Sequence, residues 1–168
     1  HELMKFADVV GTMVHKYMEA VISSRNSINA DEIVKEIISE YRSAEMVPFE
    51  NKIKDALLEV AKKIAGGGYA QTNGLPQDIL NTLLSADEIY CEVPFCYKED
   101  TPDGIVIWDG VMDVVYRSGD DWHIVDYKTN AEGKGLDKAY KNQLDAYKKA
   151  FKEMTGNDAD ALIYHIDV

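Results

Sequence analysis

Apolar side chains recur at helical spacing through the first half of the chain and at alternate positions through much of the second. Residues 4–23 carry Phe6, Val9, Val10, Met13, Val14, Tyr17, Met18 and Val21 on a three-to-four-residue period, which predicts a helix. Asn29-x-x-Glu32 has the form of an N-cap with its reciprocal partner and opens a second helix through about Tyr41. Residues 49–65 read as a third amphipathic helix, ended by Gly66-Gly67-Gly68. Pro76, at a first-turn position, starts a short fourth helix to about Ser85.

The period then drops to two. Ile89 to Tyr97 reads as a strand, and Pro94 places it at a sheet edge. Thr101-Pro102-Asp103-Gly104 is a turn. Residues 105–116 and 122–128 form two further strands joined around Ser118-Gly119-Asp120-Asp121. Residues 137–154 return to helix, and Ala161 to Val168 is a final strand. That strand follows a crossover helix and should lie parallel to a neighbour. The expected fold class is α/β: a mixed sheet with helices on both faces and a helical N-terminal half. A length of 168 residues suits one domain, helical over about 1–86 with its sheet core over about 87–168.

Composition narrows the function classes. No apolar stretch approaches the roughly 20 residues of a membrane span, and no secretory signal is recognisable. The chain starts at His1 and ends on the strand-like ALIYHIDV, so an excised piece of a longer protein is expected. Cys91 and Cys96 are the two cysteines. Alternation would put them on opposite strand faces, unable to share a metal and poorly placed for a mutual disulfide. A reducing cytoplasm is the expected compartment. An iron–sulfur cluster, which needs about four thiolates, is not supported.

The net charge of −12 opposes unaided nucleic-acid binding. The charge is uneven, however. Residues 1–125 hold 11 basic and 22 acidic side chains, whereas residues 126–152 hold 7 Lys against Asp126, Glu132, Asp137 and Asp145. This basic segment reads equally as a solvated helix face.

The candidate chemistry lies in residues 110–129, where Asp113 and Asp126 sit inside apolar strand sequence. Aspartate is disfavoured in strands, and charges in apolar strands are seldom buried unless paired or metal-bound. Asp126 and Lys128 share a strand face. Asp126-x-Lys128 alone carries little weight, because D-x-K arises by chance in acidic chains. Two carboxylates suit Mg2+, and a lysine beside them suits phosphodiester hydrolysis. Two helix features add to these: Gly11 one turn before His15, and Gln143 one turn before Tyr147. A lone helix histidine is more often structural than a ligand.

Five segments then stand in a telling order: Gly11…His15, Glu92-Val93-Pro94-Phe95, Gly110-Val111-Met112-Asp113, Asp126-Tyr127-Lys128-Thr129 and Gln143…Tyr147. Together they resemble the PD-(D/E)xK nuclease superfamily. Within it they are most similar to the RecB-like nuclease domain at the C-terminus of bacterial RecB/AddA-type or UvrD/Rep-family helicase–nucleases. The resemblance implies a restriction-endonuclease-like fold and a Mg2+-dependent deoxyribonuclease, exonuclease or endonuclease, acting in double-strand break repair and recombination. It implies His15, Asp113, Asp126 and the backbone carbonyl of Tyr127 as metal ligands. Asp113, Asp126 and Lys128 would form the catalytic set, with Lys128 orienting or activating the attacking water. Gln143 and Tyr147 would line the groove or support the site, and Glu92 would be a supporting or structural group.

By the same resemblance, Mn2+ should substitute for Mg2+, because imidazole softens the site. DNA, as single strands or duplex ends, would be the substrate. A helicase domain in the same full-length protein, together with another protein of the same complex, would deliver it in a bacterial cytoplasm, with no membrane involved. No G-x-x-x-x-G-K-[ST] occurs, so ATP would act only through a helicase domain outside this chain. Two other classes fit the same residues: a stand-alone phage or defence exonuclease, and a non-catalytic docking module.

Overall fold

A computed structural model of the chain describes residues 2–129 and 136–168. His1 and part of the basic segment, including Glu132 and Lys134, lie outside the described residues. Two compact units are defined by the chain's contacts. One comprises His1–Ser85, Tyr127–Asn130 and His165–Val168, and the other Ala86–Asp126 with Ala131–Tyr164.

The first unit is built on four helices: α1 (Ala7–Ser23), α2 (Ala30–Tyr41), α3 (Glu50–Ala65) and α4 (Ile79–Leu84). The apolar periods face inward as expected. Met13, Val14 and Met18 of α1, Val34 of α2, Ile53 and Leu57 of α3, and Ile79 and Leu83 of α4 are all buried. Burying an aliphatic side chain of this size stabilises by about 1.5–3 kcal/mol, so these stripes hold the helices together. Asn29 caps α2 as its position predicts, but its side chain accepts from the amide of Asp31 rather than of Glu32. The fourth helix starts later than Pro76 suggested. Asp78 is its N-cap and accepts from Asn81 N at 3.2 Å, supplying a start signal that proline at that place does not.

The second unit carries β1 (Glu88–Thr101), β2 (Gly104–Ser118), most of β3 (Asp121–Lys128), α5 (Leu136–Thr155) and most of β4 (Ala159–His165). The strand order is β1-β2-β3-β4 in a mixed sheet. β1 is an edge strand, which accounts for its tolerance of Pro94. β4 ends before Val168, three residues earlier than the apolar pattern suggested. β1 pairs antiparallel with β2, and β2 with β3. The apolar face of α5 packs on the sheet, with Tyr147, Ala150 and Phe151 against Met112, Val115 and Ile124.

Strict alternation fails at one level of this sheet. Met112 and Val115 lie in the same core cluster although they are three residues apart. On β1, Val93 packs against that cluster, and Tyr90 stacks on Trp122, which also packs there. The phase of both strands therefore resets between these residues. The reset coincides with Glu92, whose φ of 53° is left-handed. Such a conformation costs a non-glycine residue about 1–2 kcal/mol. Neither Cys91 nor Cys96 forms a disulfide.

Candidate active site

Among the described residues, Asp113 and Asp126 are the buried polar or charged side chains, 9% and 3% exposed. Val114 pairs with Val125, so one further step along both strands sets Asp113 opposite Asp126. On the other side, Cys91 pairs with Val114 and Val93 with Met112, which leaves Glu92 at the level of Asp113. Asp113 and Asp126 thus stand side by side on β2 and β3, with the Glu92 backbone at the same level of β1. Removing a carboxylate from water costs on the order of several kcal/mol unless hydrogen bonds or a cation compensate.

One compensating group is Tyr147 of α5. Its hydroxyl lies 3.1 Å from Asp126 Oδ1 and 3.5 Å from the carbonyl of Val111. A hydroxyl has one proton, and the shorter, charge-assisted bond to Asp126 takes it. Gln143 Nε2 donates to the same hydroxyl at 2.8 Å. Burial, and then the negative charges of Asp126 and Asp113, push the phenol far above its ordinary value, so Tyr147 is a permanent donor. The i, i+4 spacing of Gln143 and Tyr147 is what allows one side chain to orient the other.

Tyr147 is itself held by the remaining motif residues of this unit. The Phe95 ring meets it edge-on, with centroids 5.2 Å apart. Phe95 pairs across the strands with Gly110, and a Cβ at Gly110 would lie 3.3 Å from the Phe95 ring. Gly110 leaves the space that Phe95 occupies. Phe95, Gly110, Asp126, Gln143 and Tyr147, drawn from four of the five motif segments, therefore meet in a continuous set of contacts. Neither Phe95 nor Gly110 was assigned a role by the sequence. The available signal was an aromatic residue and a glycine at matching positions of two pairing strands.

His15, Tyr127, Lys128 and Thr129 belong to the first unit. His15 Nδ1 lies 2.8 Å from the carbonyl of Gly11. A carbonyl only accepts, so Nδ1 carries the proton and Nε2 of the neutral ring keeps its lone pair, the tautomer suited to a metal ligand. The Tyr127 ring packs edge-on against His15, with centroids 5.7 Å apart. A Cβ at Gly11 would come within 3.0 Å of Thr129 Oγ1. Glycine in this helix interior is thus a matter of close approach to the D-Y-K-T segment. Lys128 ends β3, half-buried, and its carbonyl accepts from Ile166 N at 2.8 Å. Asp126, Tyr127 and Lys128 are consecutive on β3, which continues from one unit into the other.

Among the described residues no group of three or more His, Cys, Asp or Glu side chains is gathered as a metal cluster. The donor chemistry that fits a hard divalent cation is the opposed pair Asp113 and Asp126, buried in an otherwise apolar setting. No helix among the described residues is long and apolar enough to cross a membrane.

The chain is similar in sequence to known proteins. The chain is 23% identical over 176 residues to an ATP-dependent helicase/nuclease subunit from Staphylococcus haemolyticus, covering 94% of this chain and 13% of that protein. It is 26% identical over 148 residues to the ATP-dependent helicase/nuclease subunit of the same name from Staphylococcus epidermidis, covering 82% of this chain and 11% of that protein. The chain therefore spans only about an eighth of the length of these relatives. Among solved structures, protein VC1899 from Vibrio cholerae aligns with a TM-score of 0.33 at 13% identity, over 96% of this chain and 43% of that one. The family model of the PD-(D/E)XK nuclease superfamily matches residues 2–167. The chain belongs to the PD-(D/E)XK nuclease superfamily.

Proposed function

We propose that this chain is one metal-dependent DNA nuclease module, of the kind that works within a helicase–nuclease in break repair and recombination. The observation that carries the reading is the opposed, buried pair Asp113 and Asp126, braced by Tyr147. In this reading Asp113 and Asp126 hold Mg2+, for which Mn2+ can substitute, and His15 Nε2 and the backbone carbonyl of Tyr127 are further ligands. The cation supplies charge neutralisation and Lewis acidity for phosphodiester hydrolysis. Lys128 orients the attacking water and neutralises charge that develops on the phosphate oxygens. Gln143 and Tyr147 hold Asp126 in position. The net charge of −12 supports delivery of the DNA strand by a helicase domain or a partner protein rather than capture by this surface.

Cleavage of linear single- and double-stranded DNA in Mn2+ tests this. The chain is expected to cleave, and Asp113→Asn, Asp126→Asn and Lys128→Ala to lose activity while remaining folded by circular dichroism. Full cleavage by the Lys128 variant would overturn the assignment.

A further inference from the structure

Resting on that reading, we infer that Glu92 is a positioning residue that acts through its backbone rather than its carboxylate. Two demands meet at Asp113. Counting by twos from Val115 and Ile124, which pack on α5, puts Asp113 and Asp126 on the side of the sheet where Tyr147 donates to Asp126. Both carboxylates raise the pKa of the Tyr147 phenol, which agrees with that placement. Met112, immediately before Asp113, is fully buried in the same cluster. A strand of strict alternation can put Met112 or Asp113 on that side, but not both.

The chain meets both demands by breaking the alternation of two paired strands at one level. Glu92 stands there opposite Asp113, between the pairs Cys91–Val114 and Val93–Met112. Its φ of 53° is the only left-handed value inside a strand among the described non-glycine residues. No residue is inserted, because the pairing register is the same on both sides of the break. The left-handed step turns β1 at the level where β2 changes face between Met112 and Asp113, so the two strands stay paired in one register across the break. By following that change, Glu92 holds the stretch of β2 that keeps Met112 in the core and sets Asp113 beside Asp126.

Glu92→Gly and Glu92→Ala separate backbone from side chain. Both remove the carboxylate, but only glycine enters the left-handed region freely. At an ordinary strand position alanine is the more stable of the two; at a left-handed one the order reverses. Thermal midpoints and Mn2+ affinity, read from the electron paramagnetic resonance of free Mn2+, are measured for wild type, both variants and Asp113→Asn. Expected are a higher midpoint for Glu92→Gly than for Glu92→Ala, and Mn2+ affinity of Glu92→Gly within about threefold of wild type, against a loss of about tenfold in Glu92→Ala. A midpoint order with alanine above glycine would overturn the backbone role. Equal loss of Mn2+ binding in both variants would overturn it too, by making the carboxylate a ligand. If Asp113→Asn binds Mn2+ as wild type does, the metal site itself fails, while the midpoint order still decides the role of Glu92.

Discussion

Tyr147 donates its hydroxyl proton to Asp126 across 3.1 Å, and Gln143 donates to that hydroxyl across 2.8 Å. A buried carboxylate is thereby held by a helix whose apolar face packs on the sheet. Tyr147→Phe keeps the edge-on contact with Phe95 and removes only the donor. It is expected to destabilise the fold by about 1–3 kcal/mol, the range for a hydrogen bond to a buried charged group. Cleavage is expected to fall about 10- to 100-fold, as for other groups that orient a metal ligand. Urea unfolding and steady-state cleavage check the two effects.

The same phenol gives a pH dependence. Its folded pKa is raised above the ordinary value of 10.0, first by burial and then by Asp126 and Asp113. In the folded state the proton therefore stays on, while in the unfolded chain it leaves at about pH 10. The stabilisation is complete below that pH and is lost as pH rises above it. The stability gap between wild type and Tyr147→Phe is expected to narrow from about pH 9 to about pH 11. Tyr17 and Tyr116, raised mainly by burial, are common to both proteins and cancel. A gap that is constant or widens over that range would contradict the assignment.

Gly110→Ala places a methyl group 3.3 Å from the Phe95 ring. Strand propensity favours alanine over glycine, so propensity alone predicts a gain. Crowding predicts a loss of about 1 kcal/mol or more, because Phe95 is wedged between Gly110 and Tyr147. The loss is expected to dominate. The double variant with Phe95→Ala should lose less than the sum of the single changes, by a coupling of about 0.5 kcal/mol or more. Additive effects in chemical denaturation would show that the ring and the glycine are not coupled.

Gly11→Ala tests the equivalent contact in the helical unit. Alanine gains about 1 kcal/mol of helix propensity, but its Cβ would stand 3.0 Å from Thr129 Oγ1. Thr129 is short and branched, and so has little freedom to move away. Gly11→Ala is expected to be destabilising alone and stabilising in a Thr129→Ala background. A gain in both backgrounds, measured by thermal unfolding, would show that the approach is not tight.

The elements were legible because their physics is local. Amphipathic stripes such as Met13, Val14 and Met18 mark helices by period, and the Thr101–Gly104 turn marks a hairpin by composition. The two aspartates were legible because a charge inside an apolar strand needs a reason, and both proved buried. What the sequence withheld depends on strand pairing. That Phe95 faces Gly110 follows only from register, and that Tyr147 bonds to Asp126 follows only from packing α5 on the sheet. Glu92 was invisible as a left-handed residue because glutamate has no preference for that region. The start of α4 was misplaced because Pro76 is a more conspicuous signal than the Asp78 side chain that caps the helix.

The central claim is that Asp113 and Asp126 together hold a divalent cation. Crystals of the chain soaked in Mn2+, with anomalous scattering used to place the ion, address it without depending on how DNA is delivered. The account predicts an anomalous peak coordinated by a carboxylate oxygen from each of Asp113 and Asp126. Crystals at millimolar Mn2+ that show both carboxylates accessible and no ion between them would contradict it.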